Sequence, residues 1–564
     1  MSDDGPPTER IAITDGSRTA DATDVDHSAD DSARADTTGA GDVLADERPA
    51  HDVPTADEAV PADERDALLS IAHGAVVTGG GVSVKRGLSI WIEAILTRGL
   101  GPELYGVYAF GWRLTTMALR FANLGADMTL LRDLPAFADE PERQRRSLGL
   151  AYLSTLVTSL LIAALLFLAA EPINAATIDQ PAFPEAIRLF GVLLVLLAMV
   201  RMHATALKAA KSANGEVLLN RILRPAVRLV AAAAAVGLGY SVVGVVGALV
   251  VTVGALAVVA YPVTIGTIGV RPTVRGLRSE ARHFFDHAVP SALSGVGRLI
   301  RTRVDVILIG VLLTATAAGI YNVVLVLVGL AAIPLIAFNQ LMPPVASDLY
   351  ARGRVATLND VYTTVTRLIV TATVPLIAVL AVFGGDLLAI FGPQYTRGYE
   401  ILLVFLVGRF VGNAVGATGI LLSMTNNHYP KMWLEWLLAV MNLTLTTLFV
   451  LQFGLIGAAL GTSVAIGVQN FLQVLLLRRF EGLWPFDATF LAPLGAGVAM
   501  AGVMIGVRSA LDGWIAVGLG TLVGLVTFGG VIALFGSNPR DRLVVGELAS
   551  HYRRTVSAAI AAVR

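Results

Sequence analysis

Seven bases stand inside stretches of this chain that are otherwise apolar: Lys85, Arg86, Arg113, Arg120, Arg298, Arg301 and Arg303. Only three acids, Glu93, Asp127 and Asp305, accompany them, so the group sums to +4. A charge within hydrocarbon is costly unless it faces protein, water or a partner, which makes each of these a functional candidate. Guanidinium forks match the paired oxygens of a phosphate or carboxylate, so a net positive set enclosed by apolar helices is suited to holding an anion. The spacing supports shared faces. Arg86 and Glu93 are seven apart, Arg298, Arg301 and Asp305 follow i, i+3, i+7, and Arg113, Arg120, Asn123 and Asp127 form a stripe spaced 7, 3 and 4. Asp305 also lies four residues after Arg301, within reach of an ion pair. A plainer alternative is that the membrane span begins near residue 87, leaving Lys85 and Arg86 as cytoplasmic flanks. Against it, the stretch from Gly87 to Leu100 is only fourteen residues long and contains Glu93.

The elements that must position these groups are membrane helices. Hydrophobic residues make up 55% of the 564 and charged residues 15%, with a mean hydropathy of +0.69, far from a soluble domain with about a quarter charged residues. Fourteen apolar segments are long enough to cross a bilayer core. They run near 74–97, 104–128, 148–169, 187–207, 222–239, 243–265, 289–312, 320–342, 362–384, 399–423, 433–451, 455–477, 488–507 and 513–535, and are numbered one to fourteen below. Lys and Arg set orientation. The even-numbered loops and the C-terminal tail hold 23 of them and the odd-numbered loops 4, so both termini are expected in the cytoplasm of a multi-pass cell-membrane protein.

The chain also repeats itself. Leu100-Gly101-Pro102-Glu103-Leu104-Tyr105-Gly106-Val107-Tyr108 returns, weakened, as Leu313-Thr314-Ala315-Thr316-Ala317-Ala318-Gly319-Ile320-Tyr321 at an offset of 213, and Gly244-Val245-Val246-Gly247-Ala248 returns as Gly454-Leu455-Ile456-Gly457-Ala458 at 210. Two landmarks at nearly one offset indicate a duplicated membrane core, an arrangement that places binding sites between the halves. The expected fold is all-α: two six-helix bundles, 67–270 and 271–486, related by a pseudo-two-fold along the membrane normal. Two additional helices follow at 487–536 and a basic cytoplasmic tail at 537–564. The offset places Arg298 on Lys85, whereas Arg113 and Arg120 fall on Val326 and Ile333. In segment eight, Asn322, Asn339 and Gln340 read as contacts between helices. Arg409 and Asn413 share a face of segment ten and suit either cavity lining or bracing.

Residues 1–66 hold 19 Asp and Glu against 5 Arg, a net −14 against +13 for the rest, and almost no large apolar residues. This acidic tail is expected to be disordered, and it has no apolar stretch of a signal peptide. The four lysines among 42 bases, with the Asp-laden tail, resemble proteins of salt-loving archaea, though a GC-rich genome favours Arg on its own. There is no Cys, hence no disulfide or thiolate site. Neither a phosphate-binding G-x-x-x-x-G-K-[ST] loop nor H-E-x-x-H occurs, and the histidines are scattered. No cofactor, metal, catalytic residue or nucleic-acid partner is expected.

Thr97-Arg98-Gly99-Leu100-Gly101-Pro102-Glu103-Leu104-Tyr105-Gly106-Val107-Tyr108, with Asn123-Leu124-Gly125-Ala126-Asp127, resembles the opening of Wzx-type polysaccharide-lipid flippases of the MATE-like exporter superfamily. Val304-Asp305-Val306-Ile307-Leu308-Ile309-Gly310 with Gly319-Ile320-Tyr321 resembles the second-half counterpart. The resemblance implies a transporter rather than an enzyme. Its substrate would be a polyprenyl- or dolichyl-phosphate-linked saccharide, moved from the cytoplasmic to the outer leaflet by alternating access for surface polysaccharide or protein glycosylation. Membrane lipids, glycosyltransferases and a glycan polymerase or oligosaccharyltransferase would be its partners. On that reading Lys85, Arg86, Arg298 and Arg301 hold the lipid phosphate, Arg113 and Arg120 form a ladder toward it, and Glu93 and Asp305 balance charge or bind a coupling cation. Lys85-Arg86 is more basic than the family pattern at that place. The competing function is a cation-coupled multidrug or metabolite antiporter, which calls for a net acidic cavity. A membrane glycosyltransferase or polymerase calls for a large external loop, which the short connections lack.

Overall fold

The computed structural model describes residues 61–535 apart from 124, 301–303 and 426, together with 538, 540, 541, 544, 546 and 547; residues 1–60 of the expected acidic tail lie outside them. Each expected segment falls on helix. Segments one and two form Ala62–Ala122, three is Pro141–Leu168, four Phe183–Ala209, and five a π-helical turn Val217–Leu223 continuing as Arg224–Gly237. Six is Val242–Ile268, seven Leu277–Ile300 followed by Val304–Leu312, eight Ala315–Ala331 with Ile333–Asn339, and nine Val355–Val382. Ten is Tyr399–Ala414 with Thr418–Met424, eleven and twelve form His428–Glu481, and Leu491–Ala510 and Gly513–Phe535 complete the set. Among the described residues nine helices are long and apolar enough to cross a membrane, or ten if the pair bent by 52° in segment eight counts as one.

Two of these helices, Ala62–Ala122 and His428–Glu481, fold back on themselves. Gly101 takes φ 72 and ψ 174, a conformation open to glycine almost alone, and Pro102 starts the return helix, where its missing N–H costs nothing. The reversal is visible in Tyr105, which reaches Glu93 at 2.8 Å. Twelve residues along a straight helix would separate them by about 18 Å. The second fold is at Gly454, φ 59. Helix also begins at Ala62, earlier than the expected end of the tail at 66, because Glu64 is buried and pairs with Arg540 at 2.5 Å.

The two halves exchange their leading helices. The start of segment one (Leu68, Ile71, Ala72) packs into second-half residues Met342, Leu349, Tyr362 and Leu477, while Phe284 and Ala288 of segment seven pack among first-half residues Ala126, Leu130 and Met202. A third apolar cluster joins both halves around Tyr105, Tyr108, Ala315 and Tyr321. Packing of this kind, with hydrogen bonds across helices, holds membrane bundles together where lipid offers no hydrophobic drive. Arg367 is buried within segment nine, donating to Asp541 at 2.8 Å and Thr489 at 2.5 Å. Burial pushes the Asp541 carboxyl up, and Arg367 opposes the shift.

Candidate functional site

The repeat motifs meet each other. A β-carbon at Gly106 would run into the Ala315 carbonyl, and one at Gly319 would lie 2.8 Å from the carbonyl oxygen of Pro102. At the offset of 213, Gly106 corresponds to Gly319 and Pro102 to Ala315, so each half offers the other the same surface, as across a two-fold axis. Arg98 Nε donates to the Ile390 carbonyl at 2.7 Å, and Tyr395 stands edge-on to Tyr105 with ring centres 6.0 Å apart. The Gly101 end of the molecule is therefore closed between the halves.

Beneath this crossing lies a buried polar network. Arg228 of segment five donates to Glu93 at 2.8 Å and to the Tyr108 hydroxyl at 3.1 Å, and its guanidinium lies 4.2 Å from the centre of the Trp112 ring. Tyr105 donates to the other Glu93 oxygen at 2.8 Å and accepts from Asn322 Nδ2 at 2.8 Å. Asn322 Oδ1 accepts from Arg113 at 3.2 Å. Both members of the ion pair thus have further hydrogen bonds, the condition under which a buried pair is tolerated. Asn322 carries the network across to the second half.

The neighbouring bases of segment one point to different halves, since successive residues on a helix diverge by about 100°. The charges of Arg224, Arg86 and Arg221 act on the Lys85 ammonium, placing Lys85 beside segment five, where the π-helical turn sets Arg221, Arg224 and Arg228 at i, i+3, i+7. Local π-helix often marks functional sites. Arg86 instead lies over Gly329 and lines a second-half cavity of about 350 Å³ with Arg409, Glu435, Asn442 and Gln469. Of the acids near these bases, Glu93 pairs with Arg228 and Asp127 with Arg201, both at 2.8 Å, and Glu216 with Arg221 at 4.0 Å.

Helix continues for more than twenty residues before Lys85. Glu93 is buried in the ion pair, Arg113 is half-buried on Asn322, and Arg120 is exposed in the last turn before Asn123. The expected continuous stripe from Arg113 to Asp127 is corrected: the helix stops at Ala122, Gly125 turns left-handed at φ 73, and Asp127 starts a new helix, Ala126–Ala136, facing Arg201. Arg301 and Arg303, with the side chains of Arg298 and Asp305, lie outside the described residues. Sequence reasoning missed Arg228 and the grouping of Arg221 and Arg224 with Lys85. Their i, i+3, i+7 spacing was the available signal.

An all-helical membrane protein whose halves cross in this way has the fold of the MOP-superfamily transporters. Lipid II flippase MurJ in an inward closed conformation superposes with a TM-score of 0.66 at 14% identity, covering 82% of this chain and 98% of MurJ. An inward-facing multidrug resistance MATE family transporter gives 0.58 at 16% identity over 70% of this chain and 94% of its own. The chain belongs to the family described as polysaccharide biosynthesis protein, whose model matches residues 95–398. A curated relative from Haloferax volcanii, "Probable low-salt glycan biosynthesis flippase Agl15", is 22% identical over 251 residues. That match covers 43% of this chain and about half, 53%, of the relative. Its archaeal source accords with the composition.

Proposed function

We propose that this protein is a flippase, a transporter and not an enzyme, that carries a polyprenyl- or dolichyl-phosphate-linked saccharide from the cytoplasmic to the outer leaflet. The observation that carries this reading is the charge balance beside segment one. Lys85, Arg86, Arg221 and Arg224 gather there, while the nearby acids Glu93, Asp127 and Glu216 pair with Arg228, Arg201 and Arg221. So many bases beside segment one suit a phosphate anion rather than a cationic drug. The family supports a saccharide as the cargo.

In this reading both termini are cytoplasmic, fourteen helices cross the membrane, and the closed Gly101 end faces outward. Lys85 and Arg86, joined by Arg298 and Arg301, hold the phosphate, with Arg113 and Arg120 along its path; Glu93 and Asp305 balance charge as the halves rock. Glycosyltransferases supply the substrate, and a glycan polymerase or oligosaccharyltransferase consumes it. The test uses purified protein in liposomes with a fluorescent polyprenyl-phosphate sugar. The expected result is transbilayer movement without bond making, insensitive to cationic drugs. Export of those cations without movement of the lipid would establish the antiporter instead.

A further inference from the structure

The first half carries a groove that has no part in the cluster of bases around Lys85. Its floor is segment four, at Met199 and His203, and its walls are Leu156 of segment three with Val258 and Tyr261 of segment six. Pro272 and Val274, in the connection between segments six and seven, close one end. The groove holds about 520 Å³, within the ~300–1,000 Å³ typical of ligand sites. None of its lining comes from segments one or five or from the second half. Leu156, Val258, Tyr261 and Val274 are exposed, so the groove opens sideways, and around helices this apolar the surroundings are lipid.

Two features set it apart from an ordinary gap between lipid-facing helices. One is a polar group at its floor. The Tyr152 hydroxyl lies 2.6 Å from Nδ1 of the buried His203, and among the described residues nothing hydrogen-bonds to Nε2 of that ring. Whichever nitrogen carries the proton, Nε2 is left needing a partner, and a bare hydrocarbon chain cannot supply one. His203 lies six residues before the end of its helix at Ala209, about 9 Å along the axis. The other feature is a pair of bases at the closed end. Arg271 and Arg275 bracket Pro272 and Val274 and are exposed, and among the described residues neither guanidinium makes an ion pair or a hydrogen bond. The nearby charges are engaged elsewhere: Arg143 with Glu140 and Glu280, Arg145 with Glu142, and Arg146 with the Ser279 hydroxyl. The backbone that carries the two bases is held in place. The Thr273 N–H donates to the Arg145 carbonyl at 3.1 Å, and a β-carbon at Gly149 would strike the Thr273 carbonyl.

We propose that this groove binds one membrane phospholipid with an anionic headgroup. Its phosphate meets Arg271 and Arg275, a glycerol oxygen meets Nε2 of His203, and a hydrocarbon chain lies between segments three and six. Basic sites beside membrane helices at the water boundary hold anionic headgroups in this way. A free phosphate ion would satisfy the bases and leave the apolar walls and His203 unused, while a zwitterionic lipid would bring a cation up to two guanidiniums. The lipid would also brace the connection that leads into segment seven, whose Phe284 and Ala288 pack among first-half residues. The proposal does not depend on what the protein transports. Only the leaflet, the cytoplasmic one, follows from the orientation given above.

The experiment is native mass spectrometry of the full chain in detergent, titrated with phosphatidylglycerol or with phosphatidylcholine of the same chains. One phosphatidylglycerol should be retained with a Kd about tenfold below that of phosphatidylcholine, the worth of one charge-assisted hydrogen bond. Arg271→Gln/Arg275→Gln should bring that ratio close to one. Arg478→Gln/Arg479→Gln, exposed bases at the end of segment twelve, should leave it unchanged. His203→Phe should weaken both lipids alike, about threefold to tenfold for a lost hydrogen bond, and keep the ratio. Should that variant fail to fold, Leu156→Trp, at an exposed wall position, fills the groove and should lower retention of both. Equal Kd values in the parent protein, or a ratio lowered as much by the Arg478 and Arg479 pair, would reduce the effect to general attraction and overturn the proposal. So would displacement of phosphatidylglycerol by an equal concentration of inorganic phosphate, tighter retention of polyprenyl phosphate than of phosphatidylglycerol, or a Leu156→Trp protein that retains both lipids like the parent. None of these results bears on whether the protein is a flippase.

Discussion

The first half is plugged at the place where the second is hollow. At the repeat offsets, Trp112 falls on Leu325 and Arg228 on Leu438. In the first half the Arg228 guanidinium lies over the Trp112 ring and is tied to Glu93, whereas Leu325 and Leu438 both line the second-half cavity. A large stacked pair has been exchanged for two aliphatic side chains, and the vacated volume is part of the cavity. The reversals differ similarly. Gly101-Pro102 makes the first turn through a positive φ, while at the equivalent Thr314 the chain is extended and the side-chain oxygen accepts from the Ala317 N–H at 3.2 Å. Duplicated halves keep the same helix path by different local chemistry. They are therefore free to differ where the substrate lies.

Breaking the plug should have the largest effect. Glu93→Gln leaves the buried Arg228 charge without its counter-ion and should cost about 3–5 kcal/mol, read as a loss of thermal stability in detergent. A Glu93→Leu/Arg228→Leu pair should recover most of it and give the first half a cavity of its own. If Glu93→Gln alone were harmless, the ion pair would not be the plug. Next in size is the crossing. Gly106→Ala forces a methyl against backbone that cannot rotate away and should destabilise by about 3 kcal/mol. Because the chain has no native cysteine, a single cysteine at Ala318 can report on the same variant. It should become labelled by an impermeant maleimide from the Gly101 side in Gly106→Ala but not in the parent.

Smaller effects test the link between halves and the second turn. Asn322→Ala removes the bonds to Tyr105 and Arg113 and should cost about 1–2 kcal/mol, with Asn322→Asp no better, since a carboxylate cannot donate to the Tyr105 oxygen. Thr314→Ala removes a helix cap and should cost about 1 kcal/mol. Chemical denaturation or thermal melting that ranked Thr314→Ala above Glu93→Gln would invert the comparison between the halves.

Much of the architecture was legible in the residues because hydropathy and a sequence repeat both report on helices in order. Asn322 as a contact between helices could be read from type and place. What could not be read was which helix a side chain faces. Glu93 shares a helix face with Arg86 by spacing, yet its partner Arg228 is 135 residues away. Asp127 was assigned to the stripe of Arg113, but one left-handed Gly125 turned it toward Arg201. The division of Lys85 and Arg86 between halves likewise depends on the rotation of segment one, which spacing within a segment does not determine.

The reciprocal crossing of Gly106 on Ala315 and Gly319 on Pro102 also bears on descent. A patch that binds its own copy is what a symmetric homodimer presents, and an even number of helices per half would have let two separate half-length chains insert in one orientation and meet there. The contact now inside one chain has the form of an interface between two, self-complementary at one glycine and the residue four before it. Fusion then released the two copies from identity, and a single lineage could acquire a plug in one half and a pocket in the other, which no homodimer could do.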